Sequence, residues 1–427
     1  MNIMKKLLAL CLALALLCGV ALAEAAETEN EQTTVPADTV LLTVGGREYT
    51  ALDVDDIAYN LYSQGYTETY PDYEEAIDTL IHQGVLDYYL ENNGYLDLSE
   101  EEEAAVVAEA QTTWDSAIES YVSYYATQDS EADQEQLRTQ AEAYYAAQGY
   151  SLESLTDNAR AGVAIDRLRH DLLNGYTPSE DEISETFQQL GALYQAEFEN
   201  NVGAYEQYTQ WQGYESLYVP EGYRGITHIL LTVDDELLSA FKDAQAALDE
   251  AQSEEPVDEA AVAAAQTALE EAKAAVIASR QDVIDEIYAR LEKGEAFQDL
   301  IAEYGTDPGM KQAENLENGY AVHADSIMYD SAFTAGAFQE RMQKPGDVSD
   351  PVVGSYGIHI LYYLKDIPGG LVLTDSIRAS IVEYLMSDKL NSAYNEAYTQ
   401  WEQEVDVVRN EVMIQRFMEE AAAEQAE

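Results

Sequence analysis

The chain has 427 residues, 47% of them hydrophobic, and a formal net charge of −61 at pH 7 from 82 acidic and 21 basic residues. That length allows two or three domains, and that apolar content allows real cores, so the chain as a whole does not read as disordered. The charge argues against a nucleic acid or an anionic membrane surface as partner, because phosphates would be repelled. Its plain reading is solubility in a salty exterior, preferred over a specific basic ligand.

Residues 1–23 read as a secretory signal. Lys5 and Lys6 start it, Leu7 to Val20 is an apolar run short for a membrane span, and Ala21-Leu22-Ala23 supplies small residues at both cleavage-defining positions. Cleavage is expected after Ala23. Lipid anchoring at Cys18 is the lesser expectation, because Leu17 stands where a small residue should precede a lipidated cysteine. Both cysteines, Cys11 and Cys18, lie in this segment. The mature chain is therefore expected to carry no disulfide, no thiolate nucleophile and no cysteine metal site. No metal or cofactor is expected, and no second apolar span follows. The expectation is an exported protein, extracellular or on the cell envelope, without an integral span.

Residues 24–38 are polar and read as a linker. Val40 to Thr50 predicts a strand, a Gly45-Gly46 turn and a second strand. Thr50 then caps a helix to about Ser63, and Ile77, Leu80, Ile81 and Tyr88 share one face of the next, which Gly94 stops. Ser99 with Glu102 is a capping box for a helix towards Tyr125. Ser130–Gln148 and Ser151–Asn174 read as two more, and Pro178 to Ile183 opens another with Phe187, Leu190 and Tyr194 on its apolar side. The helical pattern fails between Gly203 and Tyr223. There Tyr205, Tyr208, Trp211, Tyr214, Tyr218 and Tyr223 sit among Gly and Pro, as a packed linker or as a sticky surface for unfolded chains.

Beyond Arg224 comes an apolar strand, Gly225 to Leu231, containing His228. Leu238, Phe241, Ala244, Leu248 and Ala251 mark one helix, and Glu254 to Asp258 breaks it. Val262 to Leu291 marks a longer one, which would end at Lys293-Gly294. The steps of three and four suggest an antiparallel coiled-coil hairpin over about 236–280, more a rigid ornament than a partner-binding arm. Gly357 to Tyr363 is a second apolar strand, containing His359. Thr374 caps a helix with Ile377, Ile381, Leu385 and Trp401 inward, Val405 to Val408 suggests a strand, and Glu419 to Glu427 reads as a disordered acidic end.

The ordered set His228 strand, Lys293-Gly294-Glu295-Ala296-Phe297, Tyr304 to Gly309, Phe333-x-x-Gly-Ala-Phe338, Lys344-Pro345-Gly346 and His359 strand resembles the parvulin domain, a family of peptidyl-prolyl cis-trans isomerases. The strand-turn-strand start followed by helices resembles the N-terminal module of the exported SurA-like chaperones and PrsA-like foldases. The resemblance implies an α+β fold: a mostly helical chaperone module at 39–223, a parvulin domain at 224–367 split by the hairpin, a C-terminal helix at 371–412 packing back on that module, and an acidic tail at 413–427. It implies an isomerase of X-Pro bonds whose partners are unfolded or folding exported polypeptides. A homodimer through the chaperone module is left open.

The reaction is rotation about a partial double bond, with a barrier of about 18–20 kcal/mol and no covalent bond broken. A site for it needs apolar walls for the proline ring and a few polar groups that favour a twisted amide. By resemblance, His228 and His359 are the paired histidines that orient a hydrogen-bond network, and Asp307 is the polar group beside the amide. Phe333 and Phe338 are the two aromatics, Tyr329 stands where an apolar pocket residue is usual, and Leu316 aligns loosely with the pocket leucine. Each has a plainer reading: a satisfied core histidine, a turn at Asp307-Pro308-Gly309, ordinary core phenylalanines. The run Glu314 to Tyr320 departs from the family's Gly-Gly-Asp-Leu-Gly-aromatic pattern, three residues are added between Phe338 and Lys344, and no basic cluster selects a phosphorylated client. The other readings are a holdase chaperone with an inactive parvulin domain and a surface adhesin, for which nothing positive speaks.

Overall fold

The structure, a computed structural model, describes residues 35–128 and 133–424. The expected signal, both cysteines, most of the linker, Ser130 and the last three residues lie outside the described residues. The chain divides into two compact units, Met1–Pro178 with Glu383–Glu427, and Ser179–Val382. Residues 179–223 thus group with the parvulin-like segment rather than with the helices before them. One reason is local: Gly191, on the helix Glu180–Phe198, lies so close to Leu371 that a Cβ there would come within 2.6 Å of its methyl group.

In the first unit the strands Val40–Val44 and Arg47–Thr50 form the expected hairpin, and Val407–Arg409 adds antiparallel to the first of them. Thr50 caps the helix Ala51–Ser63 through a reciprocal box with Asp53, so that two otherwise orphaned N–H donors are satisfied. The helices Tyr73–Asn92, Glu100–Gln128, Gln134–Ala146 and Leu152–Leu173 follow. Leu41, Leu42, Val54, Ile77 and Leu86 share a core with Tyr394 and Trp401 of the long helix Asp375–Glu404, and Trp401 stacks on Tyr89 at 3.9 Å between ring centres.

The acidic end departs from expectation. Residues Glu411–Glu424 are helical. Ile414 is buried, Phe417 lies 4.5 Å from the Tyr73 ring, and Glu420 accepts the Val35 N–H. Met413, Ile414, Phe417 and Met418 pack together on one stripe, and the carboxylates of the composition conceal that periodicity.

In the second unit the expected loop after Gly203 is helical as far as Trp211, as Val202–Glu206 followed by a π-turn at Gln207–Trp211. Its tyrosines supply the reason: Tyr205 and Tyr208 pack edge-on and tilted against Phe198, and Tyr194 and Tyr208 share a hydrogen bond. Trp211 and Tyr214 stay exposed, while Tyr218, in a two-residue strand paired with Gly370–Leu371, is buried.

The centre of this unit is a four-stranded antiparallel sheet in the order Tyr320–Val322, Arg224–Leu231, Gly357–Asp366, Val352–Gly354. One face carries Ile229, Leu231, Ile358 and Ile360 and is packed by helices that contribute Ile284, Ile287, Leu300 and Ile301. The helices Asp235–Ser253 and Glu259–Ala278 form the expected hairpin. The return helix is not continuous, however. It breaks at Ser279-Arg280, where Arg280 Nε donates to the Thr232 carbonyl at 2.8 Å, and Gln281–Glu292 is a separate helix.

Candidate active site

Register explains why the two histidines meet. His228 lies opposite Leu361, and His359 lies opposite Leu230. Both side chains therefore leave the same face of the sheet as diagonal neighbours, a separation that rings can bridge. The rings stack at 5.1 Å between centres, with Nδ1 of His359 3.1 Å from Nδ1 of His228. Tyr320 stands opposite Ile226 on the neighbouring strand and so projects from this face too.

Asp307 arrives from the other side. The helix Phe297–Tyr304 ends at Gly305, and Thr306 is tied to the strand through its N–H and hydroxyl, both donating to the Leu230 carbonyl. Asp307 then divides its oxygens. Oδ1 accepts the Gly309 N–H at 2.9 Å, which is the turn; Oδ2 accepts from His228 Nε2 and from the Tyr320 hydroxyl, each at 2.8 Å. The hydrogen bond from His228 holds the Asp307 carboxyl well below the usual carboxylate range, with further help from Gly309 and Tyr320 against the cost of burial.

This anion fixes one proton. A carboxylate cannot donate, so His228 Nε2 carries hydrogen. Between the two Nδ1 atoms one ring donates and the other accepts. His359 Nε2 is buried and without a hydrogen-bond partner among the described residues. Burial, and after it the neighbouring His228, lower His359 to about 4 against the opposing charges of Asp330 and Asp307, which agrees with a neutral ring. Asp330 lies on that side. It caps the helix Ser331–Ala337 through Ala332 N–H and accepts from the Ser355 N–H and hydroxyl, and these bonds lower its pKa despite burial.

Phe333 meets both histidines edge-on, 5.1 Å from His228 and 5.3 Å from His359. It is only 4% exposed, and the half-buried Tyr329 stacks over it at 5.6 Å, so Tyr329 presents the outer ring surface. Gly336 lets this helix sit on the sheet: a Cβ would come within 2.7 Å of Val352 and 2.9 Å of Leu361.

His228, His359, Asp307, Phe333 and Tyr329 thus converge. Phe338 packs in the cluster of Phe333 and Tyr329 without a ring contact to either histidine, and Leu316 lies outside that cluster. Phe338 lies under the Arg224 guanidinium at 4.2 Å, which also covers Tyr363 and donates to the carbonyls of Ala337 and Met342. Leu316 packs against the aliphatic cluster that contains Ile229, Leu300 and Met310. The sequence reading missed Tyr320 as a participant, although it occupies the aromatic position after Gly319; Asp330 and Arg224 left no signal beyond a cap and a strand end. Among the described residues no group of His, Cys, Asp or Glu is arranged to hold a metal ion.

Residues 228–365 match the family model for the PPIC-type PPIASE domain, or rotamase, and this segment is a parvulin-type domain. The chain is similar to the foldase protein PrsA of Bacillus subtilis, 28% identical over 132 residues, which are 31% of this chain and 42% of that protein. It is equally similar to PrsA of Clostridium kluyveri, 28% over 136 residues, 32% of this chain and 38% of that one. The match thus spans about two fifths of the length of these curated relatives. The crystal structure of PrsA from Bacillus subtilis aligns with 90% of this chain and 99% of its own at 16% identity, with a TM-score of 0.19. No helix among the described residues is long and apolar enough to cross a membrane.

Proposed function

We propose that this chain is an exported peptidyl-prolyl cis-trans isomerase and foldase acting on X-Pro bonds of secreted polypeptides. The observation that carries the reading is the Asp307 carboxylate, held as an anion by His228, Tyr320 and Gly309 beside the Tyr329–Phe333 aromatic pair. A planar amide owes its stiffness to resonance that places negative charge on oxygen. A fixed carboxylate near that oxygen raises the planar state more than the twisted one, which is differential stabilisation of the transition state. Tyr329 offers the proline ring an aromatic face. The histidines hold Asp307 in place through the His228 Nε2 and His359 Nδ1 contacts, and rotation about the amide asks no proton transfer of them. The isomerase domain in this reading spans 224–367 with the hairpin inserted, the remainder of the described chain holds the client, and residues 1–23 direct export with cleavage after Ala23.

The test is a protease-coupled assay on proline peptides with the full chain. Asp307→Ala is expected to lower kcat/KM by about 100-fold, the scale of one preorganised electrostatic group. A wild-type chain that leaves the uncatalysed rate unchanged would refute the proposal. A holdase reading draws on the burial of Phe333 and on exposed tyrosines of the first unit, Tyr59, Tyr62, Tyr124 and Tyr144. It requires that Asp307→Ala suppress client aggregation as well as wild type does.

A further inference from the structure

A cavity of about 290 Å³ lies within the second unit. Tyr205, Tyr223, Tyr320 and Tyr329 wall it, and Glu206 lines it. Glu206 is 2% exposed. Its Oε1 accepts the Tyr223 hydroxyl at 3.0 Å, and its Oε2 accepts the Ile327 N–H at 2.7 Å. Both donors are neutral, and none of the lining residues is Lys, Arg or His. A carboxylate buried this deeply is normally paired with a cation. Here the hydrogen bonds are in place, and no counter-charge is supplied among the described residues.

Tyrosine faces attract cations through the ring quadrupole, more strongly when water is excluded. Burial and the Glu206 charge raise Tyr329 to about 12, and they raise Tyr205 and Tyr223 as well, so these walls remain neutral phenols. Val219, Met328 and Ile367 supply apolar lining along which an alkyl stem can lie. The chemistry that fits is an ammonium or guanidinium on a hydrocarbon chain. Two walls are shared with the histidine cluster: Tyr320 donates to Asp307, and Tyr329 stacks on Phe333. A side chain seated here therefore belongs to the polypeptide whose proline lies beside Asp307.

We propose that this cavity is a specificity subsite for a lysine or arginine side chain of the client, close in sequence to the isomerised proline. It rests on the isomerase reading above, and the strong negative charge of the chain favours basic clients in the same direction.

The experiment compares proline peptides that differ only in lysine against norleucine, which keeps the stem and removes the charge. The substitution is placed in turn at each of three positions on either side of the proline. At one position lysine is expected to raise kcat/KM by about 3- to 30-fold, the range of a partly desolvated cation–π contact. Glu206→Gln and Tyr205→Leu are each expected to abolish that ratio and leave norleucine peptide turnover unchanged. Tyr205 touches Phe198 and Tyr223 by ring contact, so its variant decides the matter if Glu206→Gln misfolds. Equal turnover of both peptides at every position overturns the proposal, as does a preference that survives both variants. If neither peptide is turned over, the isomerase reading fails by itself. Fluorescence anisotropy of the labelled peptides then decides the subsite: tighter lysine binding lost in Glu206→Gln supports it, and equal binding overturns it.

Discussion

The two faces of the four-stranded sheet are built from the same strands and obey different rules. One presents Ile229, Leu231, Ile358 and Ile360, all buried, to helices that answer with Ile284, Ile287 and Leu300. The other presents His228, His359 and Tyr320, with Asp307 and Phe333 against them. Hydrocarbon burial is non-directional, and each large aliphatic side chain contributes about 1.5–3 kcal/mol wherever it fits. A buried polar chain works only when each donor meets its acceptor, because an unmatched group costs about 1–3 kcal/mol. The apolar face holds the sheet together; the polar face holds the Asp307 carboxylate between His228, Tyr320 and Gly309 and so can present a fixed charge.

The largest effect belongs to the apolar face. Ile358→Ala, at a residue with no exposure, is expected to cost about 2–5 kcal/mol by urea unfolding and to leave the proline-peptide rate of the folded fraction unchanged. A changed rate would break the division between the faces. The polar face should show itself through pH. His359 falls to about 4 in the fold from its ordinary 6.5. The unfolded chain therefore binds more protons between those values, and stability present above pH 6.5 is lost as pH falls towards 4, by about 3 kcal/mol from this group. Asp307, also depressed, acts in the same direction at lower pH. Thermal melts of His359→Asn against wild type across pH 4–7 should show the wild-type slope flattened in the variant; equal slopes would assign the loss to other groups. The smallest effect concerns one hydrogen bond. A Cβ on Gly309 would stand 1.8 Å from the Tyr320 hydroxyl, so Gly309→Ala must displace that ring from Asp307. Tyr320→Phe removes the same bond without a clash. Both should cost about 1.5–3 kcal/mol, the scale of a hydrogen bond to a charged group. A much larger loss for Gly309→Ala would mean that the turn itself had given way.

Much of this was legible before folding was considered. Caps at Thr50, Ser99 and Ser179 gave helix starts because they are local chemistry. The histidine strands and Phe333-x-x-Gly-Ala-Phe338 marked the parvulin-type segment, and Gly336 proves to be the residue that lets the helix touch the sheet. The errors came where composition stood in for pattern: Gly and Tyr content hid the helical stretch to Trp211, and acidic residues hid the stripe of the helix Glu411–Glu424.

The sequence by itself determined which residues could take part, since residue type, cap and period are properties of neighbours along the chain. Only the tertiary structure decided which of them meet. Strand register set His228 diagonal to His359, the tie from Thr306 to Leu230 brought Asp307 to His228, and the packing of two short helices carried Leu316 into the aliphatic cluster and Phe338 beneath Arg224. Those are distances between residues far apart in sequence, and no local preference encodes them.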